Sequence, residues 1–393
     1  MKKVLILNPY VPTLGGGEKY MGYMCQALEQ YYENNIVIEI LVFNYNDIDV
    51  TSDDYITVND INKQYNLTLK NTSFRKIPPE EQQTFGDMNR MLNAISSEYD
   101  LAINFMIFSK YILAAKKNIY LCMFPPQRDK QLGRWKQRVI TYIENEKFLK
   151  SYDKFIIISE FSKKWFIKYW GKNVKTKIIY SPVFSEENIE GRYIEKNKKN
   201  IILSVGRFFP SAHSKNQLEM VRFFINNENK LNGYEYHLAG SISNLKEDQE
   251  YLRKIKKISS KSNNVIIHEN CKYEDLMELY AQAKVFWHAT GFGVNEEQMP
   301  EKMEHFGITT VEAMSYGVVP IVIQKGGQSE IVIEGVNGFL WKNEEECIEK
   351  TCKIIKEDKM RTVMAQKAVE RSKRFSTERF YLANKELYDE LSI

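Results

Sequence analysis

Short, continuously apolar runs alternate with longer stretches of helical period along the whole chain. The first run closes a strand over 3–8, and a helix over 18–32 and a strand over 36–43 follow, which is βαβ grammar. Further strands are predicted at 101–104, 119–123, 154–159 and 177–180. Most are apolar at consecutive rather than alternate positions, as expected where helices cover both faces of a parallel sheet. Between 181 and 200 the sequence turns polar, SPVFSEENIEGRYIEKNKKN, and loses any sustained apolar period, so it reads as a linker. The pattern restarts with strands at 201–205, 236–239, 265–268, 285–288 and 319–323, with helices filling the gaps. A last helix is predicted over 376–391. Ser376 caps it ahead of Glu378, and Phe380, Leu382, Leu387 and Leu391 recur at near-helical spacing.

The pattern implies an α/β protein of two doubly wound, Rossmann-like domains. These are 1–185 and 200–375, joined by 186–199, with 376–393 returning to the first. The length agrees, because 393 residues exceed what one hydrophobic core usually supports. Hydrophobic residues at 43% and charged ones at 27% exclude disordered and fibrous classes. The net charge is only +4 and the basic residues are scattered, so nothing calls for nucleic acid. Cys25, Cys122, Cys271, Cys347 and Cys352 form no CxxC pair and read as reduced thiols of a cytoplasmic protein. The apolar run behind Lys2 and Lys3 stops at Asn8 and Pro9, too short for the core of a secretory leader. No stretch approaches the ~20 apolar residues of a membrane span, which leaves peripheral contact at the inner face of the membrane as the one membrane option.

Candidate chemistry concentrates in 304–330, EHFGITTVEAMSYGVVPIVIQKGGQSE, where Glu304 and Glu312 stand eight residues apart around Gly307. A helix starting near Gly307 points unpaired amides and the positive end of its dipole at one spot, which suits phosphate. Carboxylates accept hydrogen bonds only, so ribose and sugar hydroxyls are apt partners for the two acids.

This segment resembles the E-x7-E signature of retaining glycosyltransferases of family four (glycosyl transferases group 1). The resemblance takes in Phe306, Gly307, Ala313, Met314, Gly317, Pro320, Gly326, Gly327, Glu330, Gly335, Asn337, Gly338 and Phe339. It implies the GT-B fold, two such domains facing across a cleft with the nucleotide-sugar held mainly by the second. It further implies transfer of a sugar from a UDP- or GDP-sugar to a glycan, lipid-linked or other hydroxyl acceptor in polysaccharide or glycoconjugate synthesis. Anomeric configuration is retained, and neither metal nor cofactor is needed. By the same resemblance Glu304 meets the donor sugar, Glu312 the ribose, and Phe306, Gly307 and the amides of Ile308 and Thr309 the donor. The alternatives are a non-catalytic partner of the same fold, a sugar-nucleotide epimerase or a hydrolase.

Other clusters fit the same picture. Arg207 follows the strand 201–205 directly, where ligands of parallel α/β sheets bind, and with Lys215 it resembles the family's pair that neutralises the leaving diphosphate. The intervening FFPSAHS stretches the family's spacing. Gly15, Gly16 and Gly17 resemble the family's glycine loop; with Tyr20 at the third glycine's place they do not form GxGxxG, which disfavours a dinucleotide site and a dehydrogenase. The end of the first domain, 152–183, matches the family at Ser159, Trp165, Trp170, Gly171 and Pro182. Its Lys163, Lys164, Lys168 and Lys172 suit either a packed, solvated helix or contact with anionic lipid. Many relatives carry a histidine where Met123 precedes Phe124, Pro125 and Pro126, and methionine is a poor partner for a hydroxyl. His288, at a strand end, is a candidate sugar or acceptor contact. Asp47 and Asp49 match the DxD metal motif of the other major glycosyltransferase fold, without supporting context, and read as a solvated turn.

Overall fold

The computed structural model of the chain describes residues 1–8, 15–43, 56–77, 84–105, 109–127, 135–189, 191–193, 195–211 and 213–393. They form two compact units, Met1–Pro182 with Glu378–Ile393, and Val183–Thr377.

In the first unit the chain runs β1 (Lys2–Leu7), α1 (Gly16–Tyr31), β2 (Ile36–Phe43), α2 (Val58–Tyr65), β3 (Thr72–Ile77), α3 (Phe85–Ser96), β4 (Leu101–Asn104) and β5 (Lys117–Cys122). α4 (Trp135–Lys150), β6 (Lys154–Ile157), α5 (Glu160–Trp170) and β7 (Thr176–Ile178) complete it before the last helix. The sheet order is β3-β2-β1-β4-β5-β6-β7, with parallel pairing throughout. Its central strands are buried along their length, Val4 to Leu7 at 0–1% exposure, which is why their sequences are apolar without alternation.

The second unit runs β8 (Ile201–Val205), α6 (Gln217–Asn226), β9 (Glu235–Gly240), α7 (Lys246–Ser259), β10 (Val265–Glu269), α8 (Tyr273–Gln282) and β11 (Val285–His288). α9 (Ile308–Ser315), β12 (Val319–Ile323), α10 (Gln328–Ile331), β13 (Phe339–Trp341), α11 (Glu344–Lys356) and α12 (Asp358–Ser372) follow, and α13 (Thr377–Leu391) ends the chain. The order β10-β9-β8-β11-β12-β13 is again wholly parallel. Each unit is therefore a doubly wound α/β layer structure, as the apolar pattern implied.

Two strands lack a sequence signal, and both are sheet edges. β3 reads TSFRKI and is half exposed, so it needs no apolar run. Its start is instead pinned by Glu29, a buried carboxylate of α1 that accepts from the Lys70 and Asn71 amides at 3.0 and 2.8 Å and the Thr72 hydroxyl at 2.8 Å. β13 is only three residues long.

The described residues of the segment expected as a linker, 186–199, pack as part of the second unit. Glu195 pairs with Arg361 of α12, whose side chain is 1% exposed, and the Tyr193 ring fills the space beside Gly317. Its polar sequence reflects a surface strap rather than a free tether. In α5 the aromatics face inward, with Trp165 and Trp170 buried and the Lys168 ammonium 4.1 Å from the Trp165 ring centre. That is the packed helix, and its tryptophans are spent on the core rather than offered to lipid. Among the described residues no helix is long and apolar enough to cross a membrane.

From Glu378 onward α13 belongs to the first unit. Phe380 sits edge-on to Tyr20 of α1 at 5.0 Å between ring centres, and Tyr31 donates to Asp389 at 2.7 Å. Leu382, expected on the apolar face, is 49% exposed. Two residues of α-helix turn about 200° and carry it away from Phe380. Phe380→Ala should therefore lower stability by about 3–5 kcal/mol while Leu382→Ala stays within ~0.5 kcal/mol, as read by chemical denaturation followed by circular dichroism.

Candidate active site

The site is built at the carboxyl ends of β8, β11 and β12. β11 ends at His288, and the chain then loops through 289–307 before α9. Glu304 is held in this loop by main-chain closure, since the Gly327 amide donates to its carbonyl at 2.7 Å. A Cβ on Gly326 would stand 2.3 Å from that same carbonyl oxygen, so the glycine pair of the signature is what lets the turn before α10 lie against Glu304.

Two side chains meet the Glu304 carboxylate, and a third backs one of them. Lys215 Nζ forms an ion pair with Oε2, and His288 Nε2 lies 3.0 Å from the same oxygen. Thr290 Oγ1 lies 3.2 Å from His288 Nε2. Burial alone raises the carboxyl's pKa, yet Lys215 and His288 hold it well below the ordinary carboxylate range, so Glu304 is ionised.

Lys215 arrives because the stretched FFPSAHS loop is tied down on both sides. Gln217 Nε2 donates to the Gly206 and Arg207 carbonyls at 3.1 and 2.9 Å, and Asn216 Nδ2 to the Ala289 carbonyl at 2.8 Å. The Lys215 stem crosses Gly206 so closely that a Cβ there would be 2.6 Å from its Cγ. Arg207, by contrast, is exposed and lies over the Phe209 ring at 5.0 Å, with no ion pair among the described residues. Glu304, Lys215 and His288 are thus one cluster, and the Arg207 guanidinium stands outside it.

Gly307 caps α9 with φ of 122°, a conformation that side chains rarely adopt, and a Cβ there would stand 2.4 Å from Gln328 Nε2. The Thr310 and Val311 amides return to the Gly307 carbonyl at 3.1 and 3.2 Å. Those of Ile308 and Thr309 precede the first intrahelical bond and have no acceptor within the helix. Phe306 is buried, edge-on to Phe375 at 5.2 Å, and anchors the turn. Glu312 lies farther along α9, where the buried Tyr280 of α8 donates to its Oε2 at 3.1 Å. Alongside that helix a recess of about 480 Å³ opens at the carboxyl end of β10, lined by His268, Asn270, Cys271 and Asp275 among others.

Gln217, Tyr280 and Gln328 are the residues that sequence reasoning passed over. Gln328 lies inside the matched segment, buried, accepting from Thr310 at 2.9 Å. Gln217 and Tyr280 have no local signal, since each acts on a residue brought near only by folding.

In the first unit Gly15 caps α1, accepting from Tyr65 at 2.8 Å, and Gly16 and Gly17 form the opening turn. The Met123 methyl reaches within 3.4 Å of where a Gly17 Cβ would be, so Met123 faces the glycine loop. Asp47 and Asp49 lie outside the described residues. Among the described residues no group of three or more His, Cys, Asp or Glu side chains is placed to hold a metal ion.

Residues 185–371 match the family model described as glycosyl transferases group 1. Among curated proteins, the glycosyltransferase MJ1178 of Methanocaldococcus jannaschii is 29% identical over 140 residues, 35% of this chain and 39% of that one. The GDP-Man:Man(3)GlcNAc(2)-PP-Dol alpha-1,2-mannosyltransferase of Caenorhabditis elegans is 29% identical over 194 residues, 46% of this chain and 38% of that one. The match thus spans about two-fifths of the length of these relatives. Solved structures agree over the whole chain. Anabaena HepE with UDP and glucose superposes at a TM-score of 0.66 with 17% identity over 100% of both chains. A Rickettsia africae glycosyltransferase reaches 0.71 with 15% identity over 99% and 98%. The fold is that of GT-B glycosyltransferases.

Beneath Glu304, His305 is packed against His213 with ring centres 4.5 Å apart. Burial, and then His213, push His305 down from 6.5 to about 3. The unfolded chain takes up a proton near pH 6.5 that the folded chain refuses, so this residue costs stability as pH falls below that value. At pH 5 the cost is ~2 kcal/mol. Unfolding free energies at pH 8 and pH 5 should therefore differ by about 2 kcal/mol less in His305→Gln than in the wild type.

Proposed function

We propose that this chain, whose residues 185–371 match glycosyl transferases group 1, is a retaining glycosyltransferase of family four that moves a sugar from a nucleoside diphosphate to a hydroxyl acceptor. The observation that carries the reading is the ionised Glu304 beside the amide-rich start of α9, with Glu312 farther along the same helix. A diphosphate at the Ile308 and Thr309 amides brings its sugar toward Glu304 and its ribose toward Glu312. The recess beside α8 then takes the base.

The chemistry asked of the protein is positioning and charge stabilisation. As the glycosidic bond to the diphosphate breaks, negative charge grows on the leaving oxygen, where the helix start and the Lys215 ammonium meet it. The exposed Arg207 guanidinium closes on the same phosphates. With front-face attack the leaving phosphate takes the acceptor's proton, so no protein nucleophile is required. These cations do the work a metal would do, and neither metal nor cofactor enters the reaction. The mannosyltransferase relative is named for GDP-Man and the HepE structure holds UDP and glucose, so GDP-mannose and UDP-glucose are the first donors to test. The acceptor is a glycan or lipid-linked hydroxyl in cell-surface glycan synthesis.

Calorimetry with the bare nucleoside diphosphate beside steady-state transfer separates the two acids. Glu312→Ala should weaken the diphosphate, which keeps the ribose, by roughly ten- to a hundred-fold, the loss of a charge-assisted hydrogen bond. Glu304→Ala should bind it almost normally and lose transfer. Equal weakening by both variants contradicts these roles. Excess chelator should leave wild-type transfer intact, and abolished transfer would require a metal in the mechanism.

A further inference from the structure

We infer that Glu304 meets the donor sugar through Oε1 alone, its Oε2 being fixed by a clamp of Lys215 and a neutral His288, which makes His288 a positioning residue. The inference rests on the transferase reading for what Oε1 touches, but the clamp itself is a property of the unliganded protein.

Both partners converge on one oxygen. Lys215 Nζ and His288 Nε2 each contact Oε2, whereas Oε1 accepts no hydrogen bond among the described residues, and 17% of the Glu304 side chain stays exposed. The carboxylate therefore presents one oxygen outward at an angle set by the other.

The imidazole's state follows from its surroundings. His288 is 4% exposed, and its Nδ1 is buried without a hydrogen-bond partner. A proton on Nδ1 would have no acceptor, which excludes both the charged ring and the Nδ1–H tautomer. An Nε2 without a proton would face an ionised carboxylate oxygen at 3.0 Å, lone pair to lone pair. The arrangement that remains is a neutral ring with Nε2–H donating to Oε2. Thr290 Oγ1, 3.2 Å from the same nitrogen, is a neutral acceptor farther off than the ionised Oε2, so the carboxylate keeps the proton, and Gln328 Nε2 at 3.5 Å is too far to compete.

A neutral donor orients the carboxylate without cancelling its charge. Among the described residues Lys215 supplies the one cation on Glu304, and its remaining Nζ protons can reach a phosphate. With Nε2 engaged and Nδ1 buried, neither nitrogen of His288 is left for sugar or acceptor.

Nitrogen-15 NMR of the imidazoles in the full-length protein, with His288 assigned by its loss in His288→Gln, tests the clamp without any donor. The expected result is a neutral Nε2–H ring at pH 7 whose signal shifts in Glu304→Gln. An Nδ1–H or doubly protonated ring overturns the inference. Kinetics test its consequence. His288→Ala and His288→Asn should lose at least ten-fold in kcat while binding the bare nucleoside diphosphate within two-fold of wild type. His288→Gln, whose amide nitrogen reaches roughly the place of Nε2, should recover most of the loss. Wild-type rates in folded His288→Ala, or equal rates in the Asn and Gln variants, overturn it. Absence of transfer by the wild type from every nucleoside diphosphate sugar sinks the transferase reading instead, and the tautomer still decides the clamp.

Discussion

A carboxylate drawn largely out of water must find its charge answered, and in this protein the answer to Glu304 organises the loops around it. Lys215 and His288 come from separate segments and converge on one oxygen of that acid. Leaving either partner unmatched in a low-dielectric pocket costs far more than their attraction gains in water. The cluster thus acts less as a source of stability than as a constraint on where the loops after β8, β11 and β12 run. The Gln217 and Asn216 side-chain amides donate to the Gly206 and Ala289 carbonyls, and the Gly327 amide to that of Glu304, so these loops and the turn before α10 are fastened around it.

Absence of side chains is what allows that convergence. Gly206 gives passage to the Lys215 stem, Gly326 lies on the Glu304 carbonyl, and Gly307 turns the chain into α9 against Gln328. Each is a place where one methyl group would collide with an element of the site, so these glycines are as much part of its geometry as the charged groups. The same economy is visible away from the chemistry, where one buried carboxylate, Glu29, secures an edge strand that has no apolar run of its own.

The charged groups divide their work by exposure. Glu304 and Lys215 are mostly buried and paired with each other, whereas Arg207 is exposed and lies over an aromatic ring. A guanidinium in that setting keeps its planar fork available for phosphate oxygens, and a buried ammonium offers a fixed point charge. On the proposed reaction, the first is recruited by the ligand and the second is in place before it arrives.

The sequence by itself determined the architecture. Consecutive apolar positions are imposed by burial on both faces of a parallel sheet, so β1, β2, β4, β8, β11 and β12 are legible as strands, and the E-x7-E segment with its glycines marks the helix start. Only the tertiary structure decided the rest. β3 is a half-exposed edge that burial does not write into the sequence, and β13, though buried, is an edge only three residues long. The polar 186–199 segment proved to be a strap on the second unit, because its fastening to Arg361 comes from a helix over 150 residues away. His288 looked like a ligand contact at a strand end, and which atom its nitrogen faces depended on where Glu304 came to lie. Local pattern records what one segment must bury, while a hydrogen bond between distant segments is fixed by their packing and leaves no trace in either segment alone.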